Sequence, residues 1–351
     1  MIKERLAESV HGVIKDYRNH DDIFLSVNNI IDWADQFDEN ALLVLNELNH
    51  ILPETYISKH KAKILLENDL DYYQNKFKYA SIEEFLKNTK FLNIQEPLKS
   101  QSVILKLINE IITDKTGLSF FNFEEYPKKH YIYFDDVLAS GSTIGRDIVD
   151  FLNQKGNANE EHYKELEKSN ITLSVCLFCL HLWGWEFPKY RLEKTFNANV
   201  KNQINWRYNY EVQNHGGFLN QRLNVAKPIK GVNKQINSYL ENLNKAAKYE
   251  SYAYRKHNEP SQETFFTSAL NRARYEDILI EKGIDILNMI KGPVHSSLRP
   301  LGMINPTYKV FGLGTHFFTW RNIPNNCPLV FWWGATGHSW KPLFPVFNRG
   351  K

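Results

Sequence analysis

Two adjacent acids and a cluster of small hydroxyl-bearing residues carry the clearest chemistry in this chain of 351 residues. Asp135 and Asp136 stand side by side, and Ser140, Gly141, Ser142 and Thr143 follow shortly after. The two groups suit opposite ends of one ligand. Carboxylates accept hydrogen bonds from sugar hydroxyls or take a hard cation such as Mg2+. Glycine lets the backbone curl around an anion, and serine and threonine add hydroxyl donors to the backbone amides there. Phosphate at one end, with a diol or metal at the other, describes a ribose 5-phosphate.

The elements that must position these residues are legible on either side. Tyr131, Ile132, Tyr133 and Phe134 precede the acids and read as a buried strand. After the loop, Ile144, Ile148, Phe151 and Leu152 lie on one face of a helix. The order is therefore strand, acid pair, hydroxyl-rich turn, helix. It places the acids at the carboxyl end of a strand, where open α/β sheets bind ligands. It places the turn at a helix start, where unpaired amides favour an anion. A competing reading is a solvated turn in which Ser142 or Thr143 merely caps the helix. An apolar run ending in two acids also occurs in nucleoside triphosphatases, but their phosphate loop, G-x-x-x-x-G-K-S/T, is absent from the chain. Gly141 and Gly145 alone do not supply the G-x-G-x-x-G of a dinucleotide site.

Composition narrows the class. Hydrophobic residues at 42% and charged residues at 24% are ordinary for a globular protein. No apolar run of about eighteen residues occurs, and the amino terminus lacks a signal-peptide core, so a cytoplasmic protein without membrane association is expected. Three cysteines fit a reducing compartment. Cys176 and Cys179 form a C-x-x-C, but they sit in the apolar run 171–182 with no second ligand pair, so they read as buried strand thiols.

Charge is unevenly spread. Residues 1–90 hold 11 Lys or Arg against 16 Asp or Glu, whereas residues 189–257 hold 13 against 4. The basic segment interleaves Trp206, Tyr208, Tyr210, Phe218, Tyr239, Tyr249, Tyr252 and Tyr254. Basic groups neutralise phosphates and rings stack on unpaired bases, so a nucleic-acid or acidic-partner surface is one reading. The other is a solvated insertion whose aromatics pack inward.

Residues 1–90 read as a helical region, with a stripe at Ala41, Leu42, Leu45, Leu48 and Leu52 and a less regular one at Ile64, Leu65 and Tyr72. A first core strand is expected near 91–94, followed by a loop and a helix from Val103 to about Thr113. Lys99 and Ser100 in that loop could bind pyrophosphate at the helix start, or Ser100 or Ser102 could be an ordinary cap. Further strands are expected at 118–123, 131–134 and 171–182. Strands alternating with helices argue for an α/β fold with a parallel sheet flanked by helices. Near the carboxyl end, 308–320 reads as strand. A Pro- and Asn-rich loop follows, and then 329–333 as a buried strand or core segment.

The segment 131–143 resembles the phosphoribosyl-pyrophosphate motif of type I phosphoribosyltransferases. The resemblance implies that Asp135 and Asp136 hold the ribose hydroxyls, directly or through Mg2+, and that Ser140 to Thr143 hold the 5-phosphate. It also implies pyrophosphate binding by the loop after the first core strand. More narrowly, the chain is similar to the phosphoribosyltransferase-like domain of bacterial conflict systems, the PRTase-CE type. Asp135-Asp136 with Ser140-Gly141 and Thr143 are coupled there to Arg321-Asn322, Pro324-Asn325-Asn326, Pro328 and Trp332, and Gln101-Ser102 at a helix start also matches. This implies a phosphoribosyltransferase-like domain over 91–351, preceded by the helical region 1–90; residues 200–290 depart from the family pattern as a basic, mostly helical insertion. It further implies a cytoplasmic antiphage effector acting at ribose C1. In some systems the partners are a reverse transcriptase with its RNA–DNA hybrid product and a winged-helix protein. Arg321 and Asn322 either reach the ligand from a loop or form a structural turn. The alternative to an enzyme is an inactive module that senses a nucleotide or binds nucleic acid or a partner.

Overall fold

The structure is a computed structural model describing residues 2–97, 99–156, 159–214, 222–231, 233–243, 249, 252–334 and 338–346. Its backbone divides into two compact units, Met1–Lys59 with Val212–Lys351, and His60–Glu211.

The first unit opens with α1 (Ile2–Ile14), α2 (Val27–Asp35), α3 (Ala41–Thr55) and β1 (Tyr56–Ile57). Ser26 starts α2 with a reciprocal cap, its hydroxyl accepting from the Asn29 amide while the Asn29 side chain accepts from the Ser26 amide. The apolar stripe of α3 is buried at Ala41, Leu45, Leu48 and Leu52, and Leu42 falls outside it, exposed.

The second unit holds the sheet. It runs α4 (Lys59–Lys76), α5 (Ile82–Asn88), β2 (Thr89–Phe91), α6 (Ser100–Thr116), β3 (His130–Leu138) and α7 (Ser142–Leu152). It continues with α8 (His162–Glu167), β4 (Thr172–His181), α9 (Leu182–Thr195), α10 (Ala198–Gln203) and β5 (Asn205–Val212). The helices α4 and α5, grouped above with the amino-terminal helical region, lie in this unit. α4 buries Ala62, Leu66, Asp69, Leu70 and Tyr73, leaving Ile64 and Tyr72 exposed.

The strand order is β2-β3-β4-β5, and β2 and β4 both run parallel to β3. The fold is thus the expected α/β class, parallel strands flanked by helices. The alternation of a strand sorts β3 into two faces. Tyr131 and Tyr133 pack with Ile144, Ile148 and Phe151 of α7 in one core. Phe134, on the other face, meets Tyr73 of α4 and Phe91 of β2 edge to face. β4 is buried along nearly its whole length, as an apolar run in a parallel sheet should be, and Cys176 and Cys179 are buried on it and not disulfide-bonded.

Several local expectations need correction. β3 continues to Leu138, so Asp135 and Asp136 lie inside its final turns of pleat rather than beyond it. The first core strand is Thr89–Phe91, slightly ahead of 91–94, and the following helix starts at Ser100 and reaches Thr116. Residues 118–123 are not a strand: Phe120–Phe123 form a 3-10 turn. Ser119 and Asn122 cap that turn reciprocally, and Asn109 accepts from both the Ser119 hydroxyl and the Phe120 amide. Local capping outcompetes extension here.

The first unit resumes with α11 (Lys234–Glu241), α12 (Ala269–Asn288), β6 (Phe318–Thr319) and α13 (Leu329–Trp332). β6 pairs parallel with β1. The strand expected over 308–320 is reduced to those two residues, because Gly312 and Gly314 take positive φ values of 128° and 65° that break a ladder. The run 329–333 is a single buried helical turn rather than a strand. The stretch 200–290, expected to be mostly helical, holds the end of α10 and then β5 before α11 and α12. In the basic segment Trp206 meets Trp185 edge to face, and Tyr239 and Tyr254 pack on Phe311. Phe218 lies outside the described residues. Among the described residues no helix is long and apolar enough to cross a membrane.

Candidate functional site

Asp135 continues the Tyr131–Tyr133 face of β3, and this parity puts its carboxyl into the interior rather than into solvent. It is only 5% exposed. Four donors converge on it. Ser100 donates through its hydroxyl to Oδ1 at 2.5 Å, and the Asp136 amide donates to the same oxygen at 2.8 Å. Gln95 Nε2 and the Tyr133 hydroxyl reach Oδ2 at 2.8 and 3.2 Å. Burial, aided by the neighbouring Asp136 charge, raises the Asp135 carboxyl to about 7.

A second buried acid joins this cluster. Asp147 projects from the apolar face of α7, one helical turn after Ile144, and is 5% exposed. The Tyr133 hydroxyl donates to Asp147 Oδ2 at 2.9 Å while accepting from Gln95 Nε2 at 2.6 Å. Arg146, itself exposed, contacts Asp147 Oδ1 at 3.1 Å. The tyrosine has one proton for two carboxyls. The shorter contact takes it, and a proton held on Asp135 can then complete a directed chain from Asp135 through Tyr133 to Asp147.

The segment after β2 is locked to this cluster by Gln101 in the first turn of α6. Its side-chain oxygen accepts from the Ile94 and Gln95 amides at 2.7 and 3.0 Å. Gln95, so placed, reaches both acids. Of the two residues singled out there, Ser100 binds Asp135, and Lys99 is the exposed N-cap residue of α6.

Asp136 is half-buried, and its Oδ1 accepts from the Val137 amide at 2.8 Å. Beyond β3 the chain turns through Ser140 and Gly141. Gly141 has φ 73° and caps α7 with no side chain. A Cβ there would meet Pro188 Cδ at 2.5 Å and the Gly184 carbonyl oxygen, and a Cβ on Gly184 would meet the Ala139 carbonyl oxygen. The turn therefore lies flat on the start of α9, a position only glycines allow. Ser140, Ser142 and Thr143 are exposed around it. Gly141 brings no capping side chain to α7, and the Ser142 amide meets only Ser140 Oγ, at a long 3.5 Å, so the first amides of α7 can turn to an anion. Arg146 follows one turn later on the side of Ser142 and Thr143 and adds a cation.

One strand end thus brings together Asp135, Asp136, Ser100 and the Ser140–Thr143 turn. Arg321 and Asn322 belong to the first unit, in a turn where Asn322 N donates to Thr319 Oγ1 at 3.2 Å and Thr319 N donates to the Asn322 carbonyl at 3.1 Å. Gln95, Tyr133, Asp147 and Arg146 complete the cluster without having been singled out in the sequence. Asp147 and Tyr133 had a signal, since each places a polar group on a face otherwise apolar.

Among the described residues no group of three or more His, Cys, Asp or Glu is arranged to hold a metal ion. The donors at β3 are nonetheless hard carboxylate oxygens. Mg2+ is usually held by one or two carboxylates with water and substrate phosphates, which this pair can satisfy.

A family model described as PRTase-CE matches residues 30–346, through both compact units. No curated protein and no solved structure matches the chain.

Proposed function

The chain belongs to the PRTase-CE family and carries a phosphoribosyltransferase-like domain, and from that premise we propose that it binds phosphoribosyl pyrophosphate or a nucleotide with Mg2+ and acts at ribose C1. The observation that supports this reading most is the convergence at the end of β3 of an acid pair and a glycine-opened, uncapped helix start. Asp136 and Asp135 would hold the ribose hydroxyls or the cation. The amides and hydroxyls of Ser140 to Thr143 would hold the 5-phosphate, with Arg146 adding charge. Lys99, at the end of the loop after β2, would meet pyrophosphate.

In the transfer, the bond between C1 and the pyrophosphate oxygen breaks and its electron pair leaves with pyrophosphate. A lone pair of the acceptor forms the new bond to C1, and the acceptor's proton passes to solvent. Mg2+ would neutralise the leaving group. Asp136, and Asp135 when ionised, would place negative oxygens near a ribose on which positive charge develops. A leaving group that is already an anion needs little general-acid help.

The biological setting we propose is a cytoplasmic antiphage effector. Its partners would be a reverse transcriptase with its RNA–DNA hybrid and a winged-helix protein, and nucleic acid would meet residues 189–257. A second reading, a module that senses nucleotide without turnover, is favoured by one observation. Both oxygens of Asp135 are already occupied by donors from its own chain.

Phosphorus NMR of phosphoribosyl pyrophosphate with Mg2+, the protein and a panel of purine and pyrimidine bases separates the two. Pyrophosphate appearing with wild type and not with Asp136→Ala supports transfer. Ligand line-broadening without pyrophosphate supports sensing. Neither signal would contradict both.

A further inference from the structure

Away from the acid cluster, the free edge of the sheet opens into a cleft of about 930 Å3 in the second unit. β2 is the edge strand, and five consecutive residues, Lys90 to Ile94, line the cleft. β2 gives Lys90 and Phe91, and the segment that continues it gives Leu92 to Ile94.

The hydrogen-bond parity shows what the edge offers. Phe91 pairs in register with Ile132, and the Leu92 amide donates to the Ile132 carbonyl at 2.9 Å. In a parallel strand the amide and carbonyl of one residue point the same way, and successive residues alternate. Lys90 and Leu92 therefore turn their backbone groups to β3, and Phe91 and Asn93 turn theirs outward. Among the described residues no hydrogen bond reaches those outward groups, although Phe91 is 5% exposed. Buried backbone groups are rarely left unpaired, and an open edge is a template for another strand.

The walls carry a sign. Lys90, Lys106 and Lys155 are exposed around the cleft, and none makes a salt bridge among the described residues, although Lys155 lies near Glu161. On the acidic side Glu110 is already held by Lys63 at 3.0 Å, and Glu124 lies near the Lys128 ammonium.

We propose that this cleft takes an extended acidic peptide segment of a partner protein, which adds as a strand beside β2. Its backbone pairs with Phe91 and Asn93, and its acidic side chains meet Lys106 and Lys155. Backbone pairing gives affinity and the side-chain charges give selectivity. The outward amide and carbonyl pairs recur at the strand repeat, which a peptide matches and a nucleic acid does not. The proposal is independent of the phosphoribosyl site.

The test is fluorescence anisotropy of the whole chain with a labelled peptide of four Glu-Val repeats. Its companions are the Lys-Val counterpart, a copy N-methylated at alternate residues, and unlabelled oligothymidylate as competitor. The expected result is saturable binding of the Glu-Val peptide below about 1 mM. N-methylation, or the exposed double change Lys106→Glu with Lys155→Glu, should weaken it at least about tenfold, which is about 1.4 kcal/mol. The Lys-Val peptide should bind at least as weakly. No saturable binding at about 1 mM, equal binding of the N-methylated copy, no effect of the charge reversals, or displacement by oligothymidylate would each overturn the proposal.

Discussion

Two clusters of buried charge, one in each compact unit, are held in opposite ways. In the first, Arg272 is fully buried and donates to Glu276 at 2.8 Å, to Glu263 at 2.9 Å and to the Leu223 and Val225 carbonyls. Arg255 meets Glu276 at 3.0 Å and the Glu259 carbonyl at 2.8 Å. Two arginines face two glutamates, and carbonyls take further donors. In the second, Asp135, next to Asp136, and Asp147 are buried and are met by a serine, a glutamine, a tyrosine and backbone amide, with exposed Arg146 on Asp147 and no cation on Asp135 among the described residues. Balanced burial fixes a structure. Burial of like charges without matching cations shifts a pKa and leaves the site in need of an external donor or cation. The contrast sets a balanced network beside the cluster that carries the proposed site.

Breaking the balanced network should have the largest effect on stability. Arg272→Met leaves Glu263 without a buried cation and Glu276 with Arg255 alone, and should cost about 3–5 kcal/mol, measured by urea unfolding. A loss under about 1 kcal/mol would mean that water replaces the guanidinium and the network is not structural.

Closing the anion cradle comes next. Gly141→Ala forces a side chain into a left-handed backbone and against α9, and should cost about 1–3 kcal/mol. It should also abolish any thermal shift given by inorganic phosphate or phosphoribosyl pyrophosphate. An unchanged ligand shift would place the anion elsewhere.

The unbalanced cluster has a pH signature. Asp135 sits near 7 when folded, above an unfolded value of about 4. The folded chain therefore binds this proton more tightly, and the group favours folding most at low pH. That contribution is full below pH ~4 and is lost as pH rises through ~7. The melting temperature of Asp135→Asn, followed from pH ~5 to ~7.5, should gain on wild type as pH rises. Parallel curves would show that Asp135 ionises without cost in the folded chain.

The smallest effect is expected at the surface. Arg146→Gln should leave stability within about 1 kcal/mol while weakening phosphate-containing ligands about tenfold. No change in affinity would remove Arg146 from the site.

The sequence carries the acids and the turn plainly, because a strand, a carboxylate pair and a glycine before a helix each leave a local mark. Their surroundings are less legible for physical reasons. Tyr133 and Asp147 come together across a strand and a helix, so each appears alone as a polar residue on an apolar face. Gln95 enters only because Gln101 fixes the backbone before it, a contact between residues without periodicity. Ser100, a natural cap or phosphate ligand by position, turns instead to Asp135. Gly184 and Pro188 read as features of α9 alone, although the turn after β3 rests on them. The run 118–123 misleads because aromatic residues favour strands, yet Ser119 and Asn122 fold it locally.

The most direct test of the central claim is the thermal shift given by phosphoribosyl pyrophosphate with Mg2+, compared between wild type and the Asp135→Ala, Asp136→Ala double variant. A ligand that binds only the native state raises its melting temperature by mass action. A shift in wild type that vanishes in a still-folded double variant is the result predicted here. A shift of equal size in both, or none in either at about millimolar ligand, would contradict a phosphoribosyl site at the end of β3.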